Sequence, residues 1–136
     1  MLHPVTDTDG APFWEYAARG ELRVQGCADC GELRFPPRPC CPHCQSFATD
    51  WRLMSGHGRV WSYAVPHPPL LPDYAALAPY NVILVELADA PRIRLVGNLV
   101  ADPDAALDSV PPDRVRIGAK VRAVFSADGL PRWVSG

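Results

Sequence analysis

Two Cys-x-x-Cys pairs constrain this chain more than any other feature. Cys27-Ala28-Asp29-Cys30 is followed, ten residues later, by Cys41-Pro42-His43-Cys44. Each pair can present two thiolates from one tight turn, and two such turns set face to face make a tetrahedral sulfur cage. That cage suits zinc, which has no directional d-electron demand and binds sulfur strongly. The segment between the pairs is too short to hold a hydrophobic core, so a bound metal would act there as the core. Four thiolates leave no coordination position for water or substrate, which makes the metal structural.

Cys40 stands beside Cys41, so a Cys40-x-x-x-Cys44 pairing is an alternative. Cys41 is preferred because Cys-Pro-His-Cys reproduces the two-residue spacer of the first pair. Gly31, directly after Cys30, can take the left-handed conformation that turns backbone N–H groups toward sulfur. Gln45 holds the matching place in the second knuckle and is less suited to it. A redox Cys-x-x-Cys would want a βαβ context that this sequence lacks. Iron and zinc use the same sulfur cage, and spacing does not separate them.

A chain of 136 residues with 48% hydrophobic content supports one ordinary domain, or a small one with a metal-stapled appendage. It contains no run of about 18 apolar residues, and Met1-Leu2-His3-Pro4 lacks a signal pattern. A soluble, cytoplasmic protein with no membrane association is therefore expected, and paired cysteines in a reducing compartment fit metal ligation better than disulfides. The formal charge is −2. A tetrathiolate zinc site would take it to about −4, which argues against nucleic acid as the main ligand. Sixteen prolines imply ordered loops rather than long helices.

Residues 1–10 read as a mobile tail. Pro12 to Arg19, closed by Gly20, reads as a short helix with Phe13, Trp14 and Ala17 on one side. Those aromatics either staple the helix to the rest of the fold or offer a partner surface. Glu21 to Ala48 is the metal module. Within it, Phe35-Pro36-Pro37-Arg38 is a stiff extended segment that either braces the loop or docks a partner. From Trp51 onward the pattern changes to short strands: Arg59–Val65, Asn81–Leu87, Arg92–Val100, Lys120–Phe125 and Leu130–Val134, of which Asn81–Leu87 is nearly all apolar, as a buried strand would be. Val121, Ala123 and Phe125 share a face, and Asp128-Gly129 marks a hairpin turn. At most one helical turn is expected, near Asp104 to Leu107. Five strands suggest a small closed barrel of the oligonucleotide/oligosaccharide-binding (OB) type.

Taken in order, the aromatic helix, the Cys-x-x-Cys-Gly knuckle, Phe35-Pro36-Pro37-Arg38, Cys-Pro-x-Cys and the barrel resemble the zinc-ribbon/OB-fold proteins that accompany thiolases and other acyl-CoA enzymes. The resemblance covers roughly residues 11–134 and is most specific over residues 27–44. It implies a mainly β fold: a tail and short helix over 1–20, a rubredoxin-like zinc ribbon over 21–50, and a five-stranded OB barrel over 51–136. It implies Cys27, Cys30, Cys41 and Cys44 as ligands of one structural zinc, and matches Phe35 to Arg38 to the family's inter-knuckle segment. Cys40 and Gln45 depart from the commonest pattern. Members of this family assemble with thiolase-fold subunits, including ketoacyl-CoA thiolases and steroid side-chain aldolases, so the resemblance implies a hetero-oligomer that shares an acyl-CoA with its partner.

The residues themselves offer no catalytic constellation. His67 has no serine, cysteine or carboxylate close beside it in sequence; His43 lies between two ligands and His57 between glycines, where it marks a bend. The loop from Pro66 to Pro79, with Leu70, Leu71, Asp73, Tyr74, Leu77 and Tyr80 in or beside it, is unusually apolar for a connection. It either caps the barrel or is covered by an acyl chain or another subunit. The expectation is a non-catalytic accessory subunit, with Phe13, Trp14, Phe35, Pro36, Pro37, Arg38, His67 and Tyr74 as partner or acyl-CoA contacts. The alternative is a protein that binds single-stranded nucleic acid, against which the second and third barrel strands lack stacking aromatics.

Overall fold

Pro12 lacks an N–H that the first turn of a helix would leave unbonded anyway, so it starts a helix without cost. In the computed structural model, which describes residues 3–136, helix α1 spans Ala11–Ala18. Met1 and Leu2, part of the expected tail, lie outside the described residues. The Asp7 carboxylate accepts the Gly10 N–H at 2.6 Å just before the helix. At its other end, Gly20 takes φ +77° and donates to the Ala17 carbonyl. Eight residues are too few for a helix to persist alone. Burial of Phe13 and Ala17 holds this one in place.

The metal module is built on a three-stranded antiparallel sheet: β1 (Arg23–Cys27) lies between β2 (Leu33–Arg34) and β3 (Thr49–Leu53). β3 runs across residue 50, where the ribbon was expected to end, so Trp51 to Leu53 pair with β1 and not with the barrel. Val24 is fully buried and Gln25 nearly so, and the Gln25 Oε1 accepts the Arg38 N–H at 2.7 Å.

Five more strands follow: β4 (His57–Ala64), β5 (Val82–Leu87), β6 (Arg94–Gly97), β7 (Lys120–Phe125) and β8 (Pro131–Ser135), in the antiparallel order β6-β5-β4-β7-β8. The sheet closes where Leu99 meets Trp133 in a parallel bridge, with Trp133 donating to the Asn98 carbonyl and Val100 to the Trp133 carbonyl. A Cβ at Gly97 would stand 2.7 Å from the Trp133 ring, so only glycine allows that approach. The mainly β architecture with a short N-terminal helix is as expected.

Three local expectations are corrected. The helical turns fall at α2 (Pro72–Ala75) and, as a 3-10 turn, at Pro112–Arg114, while Asp104 to Leu107 forms only turns. His57 marks no bend but opens β4, paired with Arg122. β5, nearly all apolar in sequence, alternates: Ile83, Val85 and Leu87 are buried while Leu84 is half-buried on the outer face. The core is continuous across all modules. Phe13 from the helix, Leu22 and Val24 from the ribbon, and Val60, Ile83, Val85, Val121 and Trp133 from the barrel form one cluster. The metal therefore supplements an apolar core that the ribbon borrows from the barrel.

Candidate metal centre and contact surface

The two knuckles have the same backbone geometry. Cys27 accepts through its carbonyl from Gly31 at 2.9 Å, and Cys41 from Gln45 at 2.8 Å. The Cys27 N–H donates to Glu32 and the Cys41 N–H to Ser46, at 3.0 and 2.9 Å. This turn needs a left-handed residue at its end: Gly31 has φ +79° and Gln45 has φ +63°. Gln45 thus accepts the strain that glycine avoids. The Ser46 hydroxyl donates to the Asp29 carboxylate and ties one knuckle to the other.

The four thiols of Cys27, Cys30, Cys41 and Cys44 converge so that all their sulfurs lie within 4.8 Å of one another. A tetrahedral zinc with bonds of about 2.3 Å separates its sulfurs by about 3.8 Å. The Cys27–Cys44 and Cys30–Cys41 separations are 3.5 and 3.7 Å, a close fit to that cage and far beyond a disulfide bond. Cys40 stays outside, its thiol directed at the Cys41 carbonyl. One ligand of each knuckle, Cys27 and Cys41, is buried, and the other, Cys30 and Cys44, is exposed.

Without metal, the thiols share protons unequally. The Cys30 amide, against the opposing effect of burial and aided by the Asp29 amide, lowers Cys27 to about 6. Cys41 is lowered in the same way by the Cys44 and His43 amides. For Cys44 the Ser46 amide is outweighed by the Cys27 thiol, burial and the other two thiols, which push it up to about 12. Cys30 is raised too: the Glu32 amide cannot offset burial and the Cys27 and Cys41 thiols. Cys27 therefore favours thiolate before any metal arrives and Cys41 is shifted in the same direction, toward the donor set zinc requires.

The expected contact residues are not all gathered in one place. Trp14, half-buried, stands between two clefts. One, of about 260 Å³, is lined by Phe13, Phe35, Arg94, Leu95 and Trp133. Phe13 packs edge-on against Trp14 at 5.0 Å and tilted against Phe35 at 5.3 Å. The other, of about 320 Å³, is lined by Tyr74, Tyr80, Val82, Asn98, Leu107 and Arg132. Tyr74 on α2 leans on buried Tyr80, so the proline-rich loop folds back onto the barrel. Pro36 and Arg38 are exposed, on a loop pinned by the Arg38 N–H to Gln25 and by Arg34 donating to the Arg38 carbonyl at 3.1 Å. His67 is exposed and lines neither cleft, and His43 faces solvent.

Several surface residues escaped the sequence reading. Trp61 and Tyr63 on β4 are exposed, and the Arg94 guanidinium lies 4.0 Å over the Trp61 ring. Both rings lie in the first barrel strand, Arg59 to Val65, whereas the second and third carry no aromatic. Asn81, fully buried, was legible only as the start of a strand, although its side chain joins β5 to Leu99 and Val110.

Comparison with known proteins places these features in a family. Residues 14–50 match the rubredoxin-like zinc ribbon domain of ChsH2, and residues 51–126 match the C-terminal OB-fold domain of ChsH2. A 3-oxo-4,17-pregnadiene-20-carboxyl-CoA hydratase alpha subunit from Mycobacterium tuberculosis is 35% identical over 98% of the chain and 38% of its own length. A DUF35 domain-containing scaffold protein from Methanothermobacter thermautotrophicus is 35% identical, covering 87% of the chain and 82% of its own. The chain spans about a third of the length of the curated hydratase alpha subunits that it matches. Among solved structures, a chain of the Ltp2-ChsH2(DUF35) aldolase superposes with a TM-score of 0.82 at 39% identity, covering 98% of both chains. Four converging thiols on paired knuckles, joined to a five-stranded barrel and matched over both parts, make this chain a member of the ChsH2 (DUF35) family of zinc-ribbon/OB-fold proteins, with one structural zinc site.

Proposed function

We propose that the chain is a non-catalytic accessory subunit of a thiolase-superfamily enzyme acting on an acyl-CoA. The observation that carries this reading is the match, over 98% of both chains, to a ChsH2(DUF35) chain in an aldolase built with Ltp2. The scaffold description of the archaeal relative agrees with it. The zinc ribbon would act as a rigid bracket, and the two clefts beside Trp14 would receive apolar elements of the partner or the acyl chain. Phe13, Phe35 and Tyr74 line those clefts, while Pro36, Pro37 and Arg38 extend the same loop outward. The reaction class is carbon–carbon cleavage or condensation next to a thioester, and the steroid-like substrate in the mycobacterial relative's name makes a steroid or lipid side chain the substrate to try first. The domain division 1–20, 21–50 and 51–136 belongs to the same proposal, as does a cytoplasmic hetero-oligomer. No helix among the described residues is long and apolar enough to cross a membrane.

Mixing the zinc-loaded chain with a thiolase-superfamily enzyme from the same host tests the reading. The expected result is a stable complex, with acyl-CoA cleavage that needs both chains. Buried aromatics dominate most interfaces, and truncating one commonly costs about 2 kcal/mol or more. Trp14→Ala should therefore weaken assembly by about thirtyfold without changing zinc content. Turnover by the chain alone, or a partner that neither binds it nor changes in activity, overturns the proposal.

A second reading has a specific observation behind it. Exposed Trp61 and Tyr63 on β4 give the barrel the stacking rings that β5 and β6 lack. Single-stranded nucleic acid would then bind at physiological salt and weaken steeply as salt is added. Retained binding in a Trp61→Ala variant would count against that surface.

A further inference from the structure

The β4–β7 ladder carries a feature that the accessory role does not require. His57 pairs directly with Arg122, and Arg59 directly with Lys120. Gly58, Val60 and Val121, which alternate with these four, are buried, and the four basic residues are all exposed on the outer face of the barrel. Two successive cross-strand pairs thus set base against base on one face. Arg59 opposite Lys120 is a like-charge pair, which destabilises a sheet. The four Cβ positions form a rectangle of roughly 5 by 7 Å, from the spacing of paired strands and of alternate residues. Among the described residues none of the four side chains makes a hydrogen bond or ion pair. This concentration of positive charge sits on a chain whose formal charge is −2.

The rectangle borders a cleft of about 510 Å³ lined by His57, Arg59, Glu86, Lys120 and Pro91. That volume lies in the range of small-molecule sites. Glu86 faces Arg59 from the other side, on β5, and brings an acceptor-only carboxylate to the same cleft. Three permanent cations and a histidine within so small a rectangle match a compact polyvalent anion. The planar guanidinium forks of Arg59 and Arg122 suit phosphate oxygens.

We propose that this face binds a diphosphate group, whose charge offsets the repulsion between the opposed bases. Arg59 and Lys120, which line the cleft with His57, would hold the phosphate oxygens, while Arg122, which lines a separate cleft with Val124 and Ser135, adds positive charge at the border. Where the diphosphate belongs to a nucleotide, Glu86 would accept a hydrogen bond from a sugar hydroxyl. The site lies on the β4–β7 face and involves none of the residues around Trp14, so it stands or falls separately from the accessory role.

The test titrates the zinc-loaded full chain with sodium pyrophosphate and, separately, with ADP, at constant ionic strength against sodium chloride. Amide NMR shifts and the thermal midpoint are followed, and zinc content is checked before and after. The expected result is saturable binding of pyrophosphate at sub-millimolar concentration. Amide shifts should concentrate at His57–Arg59 and Lys120–Arg122, and the midpoint should rise. Arg59→Gln combined with Lys120→Gln should weaken binding at least tenfold and abolish the rise. Equal binding of the two ligands assigns a free diphosphate. Tighter ADP, with the difference lost in Glu86→Gln, assigns a nucleotide. Absence of any response beyond chloride, binding unchanged in the double variant, or ADP binding with pyrophosphate inert would each overturn the proposal.

Discussion

Asn81 offers the sharpest test of how the barrel is closed. Its side chain is fully buried and stands in for a missing strand partner. The Nδ2 group donates to the Leu99 carbonyl at 2.9 Å and to the Val110 carbonyl at 3.2 Å, and Oδ1 accepts the Leu99 N–H at 2.7 Å. Asn98 in turn donates to the Asn81 carbonyl at 2.7 Å. Asn81→Leu keeps most of the volume but removes all three side-chain bonds. Each bond contributes about 1 kcal/mol net, and leaving the Leu99 N–H and C=O unpartnered in a dry interior adds about 1–3 kcal/mol. The sum is about 4–6 kcal/mol, a large share of the roughly 5–15 kcal/mol that separates folded from unfolded domains. The thermal midpoint should fall by about 15–20 °C. Urea unfolding of the zinc-loaded protein measures the change, with zinc content as a control for the ribbon. Asn81→Ala should cost less if water enters the space and bonds the freed groups. The residues beside this clamp, Asn98 and Leu107, also line the larger cleft at Trp14, so partner binding should weaken along with stability. A loss below about 1 kcal/mol in Asn81→Leu would refute the idea that this side chain closes the barrel.

Three further outcomes are expected. Cys41→Ser should lose the metal and unfold the ribbon while Cys40→Ser keeps full occupancy by elemental analysis, because the Cys30–Cys41 sulfurs stand 3.7 Å apart and Cys40 points at a carbonyl. Zinc affinity, measured by chelator competition, should rise with pH. At pH 7 Cys30 and Cys44, both raised, carry protons that the metal must displace, whereas Cys27 at about 6 has largely lost its own. Displacing at least these two protons makes affinity fall by about a hundredfold or more per pH unit of acidification, and a flat profile would contradict the proton sharing. Gln45→Gly should stabilise the zinc-loaded protein by about 0.5–1 kcal/mol, since glycine relieves the left-handed strain by more than it costs in chain entropy; unchanged denaturant midpoints would count against strain there.

Much of this protein is written in short-range spacing. A two-residue gap between cysteines fixes a knuckle because covalent geometry allows few ways to bring both sulfurs to one point, and the pairs at Cys27–Cys30 and Cys41–Cys44 could be read without a structure. Pro12 and Gly20 likewise bracket α1 by their own dihedral limits, and Asp128-Gly129 sets the β7–β8 hairpin. Tertiary structure decided what depends on distant segments meeting. Leu22 and Val24 share a core with Trp133, so the ribbon is less self-contained than the distance between its cysteines suggests. Thr49 to Leu53 joins β1 rather than the barrel because pairing is settled by which edge is free, not by strand propensity. Asn81 gains its role only when Leu99 and Val110 fold against it. The opposed bases on β4 and β7 are about 60 residues apart in sequence and exist as a group only through strand register. Local chemistry in the sequence chose the metal ligands, the turns and most of the strands, while register and closure, which depend on long-range packing, chose the surfaces they present.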